Sequence, residues 1–171
     1  MQQTADRVLL TGANGYIGGR LLRKLEESGR LVRCMVRRPD ALSGRTAEQT
    51  EIVRGDVLDP DSLYEPLAGV TAAYYLVHSM GASGPFADAD RRGAEDFAAA
   101  ARKMGVGRIV YLGGLGAEDD VSTHLESRHE VGRILRESGV PTIEYARPSS
   151  SALEASPSRS CARSLTGRLS C

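Results

Sequence analysis

The chain has 171 residues, which is enough for a single domain with a hydrophobic core. Its 22 basic residues cancel its 22 acidic residues, and this balance argues against binding to nucleic acid or to an anionic membrane surface. No apolar run approaches the ~20 residues of a membrane span, and the first residues enter a strand pattern without room for a signal peptide. Three cysteines, Cys34, Cys161 and Cys171, match no metal-binding or disulfide pattern. We therefore expect a cytoplasmic protein without a metal site.

The apolar pattern predicts strands that alternate with helices along the chain. Strand patterns lie at residues 7–12, 31–38, 51–57, 72–79, 107–114 and 141–146. Helical patterns lie at residues 16–29, 59–69, 86–104 and 122–139. This alternation predicts the α/β class, with a doubly wound parallel sheet covered by helices on both faces.

The first strand turns into the first helix through the segment TGANGYIGG, which carries three regularly spaced glycines. The first glycine of such a loop permits a tight turn, the second lets the backbone approach a pyrophosphate, and the third lets the helix lie close to the strand. A flexible turn is the alternative, but the strand–turn–helix context favours dinucleotide binding. The loop residues expected at the cofactor are Gly12, Asn14, Gly15, Tyr16, Ile17 and Gly18.

The end of the second strand bears on which dinucleotide is bound. An NAD-specific site usually has an acidic residue there, ~20 residues after the loop, to bind the ribose 2′-hydroxyl. Arg37 and Arg38 occupy that position here, and guanidinium groups suit a 2′-phosphate. Two solvated arginines are the alternative, and Asp40 is separated from the strand by Pro39. We therefore expect NADP as the cofactor, in preference to NAD.

The carboxyl ends of the third and fourth strands predict further cofactor contacts, because ligands bind at those ends in open α/β sheets. Asp56, followed by Val57, is expected beside the adenine, where a carboxylate can accept a hydrogen bond from the amine. A turn aspartate or a helix-capping aspartate is the alternative. Leu76, Val77 and His78 are expected along the middle of the cofactor.

Five segments together resemble a known family, and they are LLTGANGYIGGRLL, RGDVLDPDSL, AAYYLVHSM, RIVYLGGLG and HLESRHEVGRILRESGVP. In this order they resemble the atypical short-chain dehydrogenase/reductases, in particular the NmrA-like and related NAD(P)H-binding bacterial proteins. The glycine loop is shared with other Rossmann domains, whereas YYLVHSM and YLGGLG together are more specific. The resemblance runs from about residue 7 to 146. It implies a Rossmann-like core, bound NADP(H) or NAD(H), and a C-terminal region that closes over the substrate.

The resemblance also implies where catalytic residues would lie. In catalytic members, a serine after strand five and a Tyr-x-x-x-Lys pair on the next helix serve proton transfer during hydride transfer. Here the serine place reads Gly113–Gly114, the tyrosine place holds His124 and the lysine place holds Arg128. The imidazole can still donate a proton near neutral pH, and the guanidinium can hold a ribose but cannot act as a base. The alternative is an amphipathic helix whose charged residues and His129 face water.

The character of the sequence changes after Ala146, where a serine-rich segment interrupts the sixth strand. A disordered low-complexity tail is one interpretation. A slip of the reading frame near Arg147 is the other, because shifted serine codons encode the apolar residues that this family carries there. We predict an NAD(P)-binding domain over residues 1–146, an aberrant tail over 147–171, and a missing substrate-covering part.

Two functions follow as expectations. The first is an NADP-dependent oxidoreductase or epimerase-like enzyme that acts on an unknown small molecule. The second is a non-catalytic NADP(H)-sensing regulator of the NmrA-like kind. The altered triad favours the regulator, whereas the usual activity of the family favours the enzyme. A truncated product with little activity of either kind is a third possibility.

Overall fold

The structure, a computed structural model, describes residues 6–77, 86–114 and 123–147. Its six parallel strands form one sheet in the order β3-β2-β1-β4-β5-β6. The strands are β1 Arg7–Thr11, β2 Leu31–Val36, β3 Glu51–Arg54, β4 Val70–Tyr75, β5 Arg108–Gly114 and β6 Thr142–Arg147. The order changes direction at β1, which pairs with β2 on one side and β4 on the other. The predicted fold class, a Rossmann-like α/β sheet, is confirmed.

Within the described residues, four α-helices connect or cover these strands: α1 Tyr16–Glu27, α2 Tyr64–Leu67, α3 Phe86–Lys103 and α4 Thr123–Glu137. The helix predicted over residues 59–69 is wrong in kind, because it is a 3₁₀ turn over Pro60–Leu63 followed by the single α-helical turn of α2. The helix stays short because Pro66 has no N–H to donate to an earlier carbonyl. Just after the helix, Gly69 has a φ of 67°, a left-handed conformation that ends it. In the part of the chain that the structure describes, no helix has the length and apolar character to cross a membrane.

The strand boundaries differ from the predicted ones by one to four residues, and β2 ends at Val36, two residues earlier than predicted. Strand β3 ends three residues earlier than predicted, and β4 covers Val70–Tyr75 instead of 72–79. Strand β6 continues through Arg147, one residue past the boundary predicted for the domain. Pairing decides these limits, since each strand extends only as far as its neighbour supplies backbone partners.

Helices lie on both faces of the sheet, but they are distributed unevenly. One face packs against α2, α3 and α4, with the fully buried side chains of Phe97, Leu67 and Leu135 in its core. The other face packs against α1, mainly over β1 and β2, through Leu22 and Leu25. The smaller core of the α1 face ends at β4.

Arg33 on β2 joins three elements although it is only 6% exposed. Its Nε donates to the Glu51 carboxylate at 2.8 Å, and its Nη1 donates to the backbone oxygens of Glu65, Pro66 and Ala68 at 2.9–3.0 Å. These carbonyls form the C-terminal end of α2, where a cation is favourable. The buried charge therefore attaches α2 to the sheet.

Candidate functional site: a dinucleotide site at the first βα turn

The turn between β1 and α1 is shaped by close backbone approaches at two of its glycines. Gly12 has a φ of 68°, and a Cβ there would lie 2.9 Å from the carbonyl oxygen of Leu76. A Cβ at Gly18 would lie 2.7 Å from the carbonyl carbon of Gly12 and collide with its oxygen. Any other residue at either position would push α1 or β4 away from the turn. The predicted roles of these glycines in the tight turn and in close helix packing agree with this geometry.

The residues at the start of α1 are exposed, and the amide of Gly15 donates to the Gly12 carbonyl oxygen at 3.0 Å. Asn14, Gly15, Tyr16 and Ile17 are exposed, and Tyr16 retains 77% of its accessible surface. Gly15 is the N-cap residue, and no side chain caps the helix there. The first amides of a helix lack internal partners and carry the positive end of its dipole. This arrangement suits a pyrophosphate.

Thr11 is a site residue that the sequence reasoning missed. Its buried hydroxyl donates to the carbonyl oxygen of Tyr74 at 3.0 Å and accepts from the amide of Leu76 at 2.9 Å. The last backbone pair between β1 and β4 is Leu10 with Tyr74. Beyond this pair, the Thr11 side chain connects the two strands in place of backbone hydrogen bonds. Ligands of open α/β sheets bind at such a switch point. A threonine at the end of an otherwise apolar strand was the available signal.

The end of β2 carries the two arginines expected to distinguish NADP from NAD. Arg37 and Arg38 directly follow the strand and are exposed. Arg38 precedes a 3₁₀ turn over Pro39–Leu42, which carries Asp40 away from the strand end. Among the described residues, neither guanidinium forms an ion pair. Both therefore remain available for a 2′-phosphate.

Asp56 lies in the loop after β3 and does not end the strand as predicted. Its Oδ1 accepts a hydrogen bond from the amide of Leu58 at 3.1 Å, which is the turn role considered as its alternative. Its own amide donates to the Ser62 hydroxyl at 2.9 Å. Val57 is only 8% exposed and packs in the larger core. A cofactor contact at Val57 would therefore involve its backbone.

The residues after β4 are divided between the two faces of the sheet. Leu76 packs against the core under α1, and Val77 packs against the opposite core. Both are partly exposed, and both follow the strand instead of ending it. His78, the third residue predicted here, lies outside the described residues.

Helix α4 carries the two predicted catalytic positions. His124 belongs to its first turn, but its side chain lies outside the described part of the structure. Arg128 is partly buried, and its carbonyl oxygen accepts a hydrogen bond from the Tyr111 hydroxyl at 3.1 Å. His129 is exposed on the outer side of the helix, as in the amphipathic alternative. The buried Ser127, which was not singled out from the sequence, donates to the Asp90 carboxylate at 3.2 Å and joins α4 to α3.

Glu144 on β6 occupies the space that a side chain at Gly113, near the end of β5, would need. A Cβ at Gly113 would collide with the Glu144 carboxylate, and one at Gly132 of α4 would lie 2.7 Å from the same oxygen. The carboxylate is held in this notch by an ion pair with Arg136. The two glycines therefore make room for a bridge between β6 and α4.

Burial controls the ionisation of the tyrosines near this region. Burial raises the pKa of Tyr111 well above its ordinary value, opposed by the charge of Arg128 and reinforced by the Glu144 and Asp90 carboxylates. Burial likewise raises the pKa of Tyr75. Burial therefore disfavours the phenolate form of both tyrosines. In the described part of the chain, no group of His, Cys, Asp and Glu side chains is arranged to hold a metal ion.

Comparisons with known proteins bear on the fold and on the family. The 2-alkyl-3-oxoalkanoate reductase of Stenotrophomonas maltophilia is 32% identical over 110 residues, which are 61% of this chain and 32% of that protein. Triphenylmethane reductase of Citrobacter sp., solved with NADP(H), superposes with a TM-score of 0.68 at 23% identity over 81% of this chain and 48% of that one. WbmH of Bordetella bronchiseptica, solved with NAD+, has a TM-score of 0.70 at 19% identity over 82% of this chain and 55% of that one.

The two structural likenesses establish the fold, and the chain spans about a third to half of the length of these relatives. A family model described as NAD(P)H-binding matches residues 12–148, from the first glycine of the turn to just past β6. That match covers the glycine turn, the switch point and both predicted catalytic positions. The chain therefore belongs to the NAD(P)H-binding family of Rossmann-fold proteins.

Proposed function

We propose that this chain is the cofactor-binding part of an NADP-dependent oxidoreductase that acts on an unidentified small molecule. The observation that carries the proposal is the first βα turn, where Gly12 and Gly18 bring β4 and α1 so close that only glycine fits. This packing leaves the uncapped amides of α1 open at the switch point between β1 and β4. A dinucleotide pyrophosphate is the ligand for which that combination is suited.

The preference for NADP over NAD rests on the end of β2. Arg37 and Arg38 are exposed there, and the nearest acid, Asp40, lies beyond a proline in the following turn. A guanidinium fork binds a phosphate through two parallel hydrogen bonds, whereas it offers no acceptor to a ribose hydroxyl.

The oxidoreductase is favoured over the sensing regulator by the relatives. The Stenotrophomonas relative and the solved Citrobacter protein are named as reductases, and the latter was solved with NADP(H). We assign the proton-donating role to His124 and the ribose-holding role to Arg128, because they occupy the places of the tyrosine and lysine in the resembling family. Gly113 and Gly114 supply no hydroxyl at the serine place, so this chemistry would proceed without one.

Cofactor binding is tested by titrating the purified chain with NADPH and with NADH and following nicotinamide fluorescence. We expect NADPH to bind at least tenfold more tightly than NADH. The double variant Arg37→Ser/Arg38→Ser should remove that preference, and Arg102→Ser, an exposed arginine on α3, is the matched control. Equal affinity for both nucleotides in the unaltered chain would rule out the NADP assignment.

Chemistry is tested by following NADPH oxidation with a panel of carbonyl compounds. His124→Asn should lower turnover about 10²-fold or more, within the range for a lost general acid. Arg128→Met should mainly weaken cofactor binding. Unchanged turnover in His124→Asn would remove this residue from the mechanism. Tight NADPH binding without turnover of any compound would favour the sensing regulator.

A further inference from the structure

The second turn of α4 is tied to neighbouring elements by two hydrogen bonds from the interior. The hydroxyl of Ser127, which is 8% exposed, donates to the Asp90 carboxylate on α3 at 3.2 Å. The hydroxyl of Tyr111 on β5 donates to the carbonyl oxygen of Arg128 at 3.1 Å. One bond therefore connects α4 to α3 and the other connects it to the sheet. Both act at or beside the residue assigned to the cofactor ribose.

Close packing of α3 on β4 places Asp90 within reach of α4. Gly93 follows on the next turn of α3, and a Cβ there would lie 3.0 Å from a Val57 methyl group and 3.4 Å from the Tyr75 hydroxyl. A glycine permits this close approach because it has no side chain. Burial is the main cause of the raised pKa of Tyr75, and the charge of Asp90 is the next. The Asp90 carboxylate thus lies near the sheet as well as near α4.

The Arg128 guanidinium lies near β5. Burial raises the pKa of Tyr111, and the charge of Arg128 is the main influence that opposes this rise. Such an influence requires a short distance, because the interaction of two charges weakens as they separate. Tyr111 lies near the end of β5, and ligands of open α/β sheets bind beyond the carboxyl ends of the strands. The placement of α4 over β5 therefore decides how far the guanidinium can reach toward a bound cofactor.

We infer that Asp90 and Ser127 are positioning residues, which hold α4 so that the Arg128 guanidinium meets the hydroxyls of the nicotinamide ribose. The inference rests on the proposed function, since it requires a bound NADP and the ribose-holding role of Arg128. Hydrogen bonds weaken when donor and acceptor move beyond about 3.2 Å. A displacement of α4 by about 1 Å is enough to lose such contacts, and misplacements of this size can reduce rates about 100-fold. Asp90 and Ser127 would act through α4, without touching the cofactor.

The same helix carries an ion pair that provides a matched control. The Arg133 guanidinium contacts the Glu137 carboxylate at 3.1 Å on the exposed surface of α4. Exposed pairs of this kind contribute little to stability, and both partners of this one belong to α4. Arg133→Met therefore removes a side-chain contact from the helix without changing how α4 is attached to α3.

The test compares Ser127→Ala and Asp90→Ala with Arg128→Met and Arg133→Met. Dissociation constants are measured for NADPH and for 2′,5′-ADP, which has the adenosine half of the cofactor but no nicotinamide ribose. We expect Ser127→Ala and Asp90→Ala to weaken NADPH about fivefold, as for a lost hydrogen bond, and to change 2′,5′-ADP less than about twofold. Arg128→Met should weaken NADPH about tenfold, and Arg133→Met should change neither ligand. Circular dichroism confirms that each variant is folded.

A double variant and a conservative variant distinguish positioning from a general loosening of the fold. In the Arg128→Met background, Ser127→Ala should not weaken NADPH further, because both changes remove the same contact. A purely structural role would lower the affinity again. Asp90→Asn keeps an acceptor for the Ser127 hydroxyl and should retain NADPH affinity within about twofold. A loss as large as that of Asp90→Ala would contradict the hydrogen bond as the means of positioning.

The outcomes separate the inference from the proposed function. If the unaltered chain binds no NADPH, the proposed function fails and the inference falls with it. If Arg128→Met weakens NADPH while Ser127→Ala and Asp90→Ala do not, only the positioning role is overturned. An equal loss of NADPH and 2′,5′-ADP, or an additive loss in the double variant, would overturn it as well. Unchanged NADPH affinity in Arg128→Met would remove the ribose contact on which the inference depends.

Discussion

Beneath α2, α3 and α4 the sheet has a continuous core that extends from β3 to β5, whereas the opposite face is covered by α1 over β1 and β2. On that second face, Tyr74, Val110 and Leu112 are only partly buried, and Ile143 and Tyr145 are 42% and 62% exposed. Strand alternation places these side chains opposite the core residues Tyr75, Ile109 and Tyr111.

The two faces of the sheet differ in how much apolar core they hold and in whether they carry the glycine turn. The face with three helices supplies most of the buried apolar area and hence most of the stability. Helix α1 packs on the smaller core, and the glycine turn at its start is exposed to solvent. Substitutions in the larger core should therefore change the free energy of unfolding, and substitutions around α1 should change cofactor affinity.

The largest effect on stability is expected for Phe97→Ala on α3. The ring is fully buried and lies 4.9 Å from the Tyr75 ring, so its removal leaves a cavity. The free energy of unfolding in urea should fall by about 3–5 kcal/mol. Leu25→Ala, at the margin of the α1 core, should lower it by about 2 kcal/mol. Equal losses would show that the two faces contribute alike.

Gly18→Ala should have the largest effect on binding. Its Cβ would collide with the Gly12 carbonyl, so the turn and α1 must separate and the amides lose their alignment. Affinity for NADPH should fall at least tenfold. Leu25→Ala is the control on the same helix, since it lowers stability without touching the turn. Similar affinity in Gly18→Ala and Leu25→Ala would contradict the proposed role of the turn.

At alkaline pH the free energy of unfolding should fall because of buried groups on both faces of the sheet. These groups stay protonated in the folded state. Burial, reinforced by Glu26, raises the pKa of Cys34 on the α1 face from 9.0 to about 12, and burial raises the pKa of Tyr75 and Tyr111 on the other face. A raised pKa means that the folded state binds more protons. This contribution is complete below pH 9 and is lost as the pH rises toward 12.

The contributions of the two faces can be distinguished by measuring the free energy of unfolding between pH 8 and 10.5. The loss due to Cys34 should be about 2 kcal/mol over that interval, and Cys34→Ala should abolish it. Tyr111→Phe should reduce the loss of unfolding free energy that comes from ionisation of the tyrosines on the other face. Each variant is referred to its own value at pH 8, which cancels effects of packing. An unchanged pH dependence in both variants would exclude these groups as its origin.

The smallest effect is expected on the open half of the α1 face. Tyr145→Thr on β6 keeps a residue that favours strands and removes a ring that is mostly in water. The free energy of unfolding should change by no more than about 0.5 kcal/mol, as for other exposed positions. Ala73→Thr on the opposite, fully buried side of β4 should be much more disruptive. A large loss in Tyr145→Thr would show that this half of the face is covered in solution.

Much of the fold and one end of the candidate site could be predicted from the sequence. Apolar periodicity determined the βα alternation, and glycine spacing determined the turn, because both are local consequences of backbone geometry. Arg37 and Arg38 could be placed at the end of β2 for the same reason, since the end of a strand is marked by the proline that follows. The roles of His124 and Arg128 in chemistry stay predictions.

Only the tertiary structure decided which side chains meet across the sheet. Arg33 reaches the end of α2, Glu144 fills the space above Gly113, and Thr11 completes the ladder to β4. Asp56 forms a bond within its own turn, and its contact with the adenine stays a prediction. A groove lined by Arg20, Arg23 and Arg45 likewise requires α1 and the loop after β2 to pack together. Local patterns fix where strands and turns form, whereas contacts between distant residues depend on strand order and helix placement, which no short segment encodes.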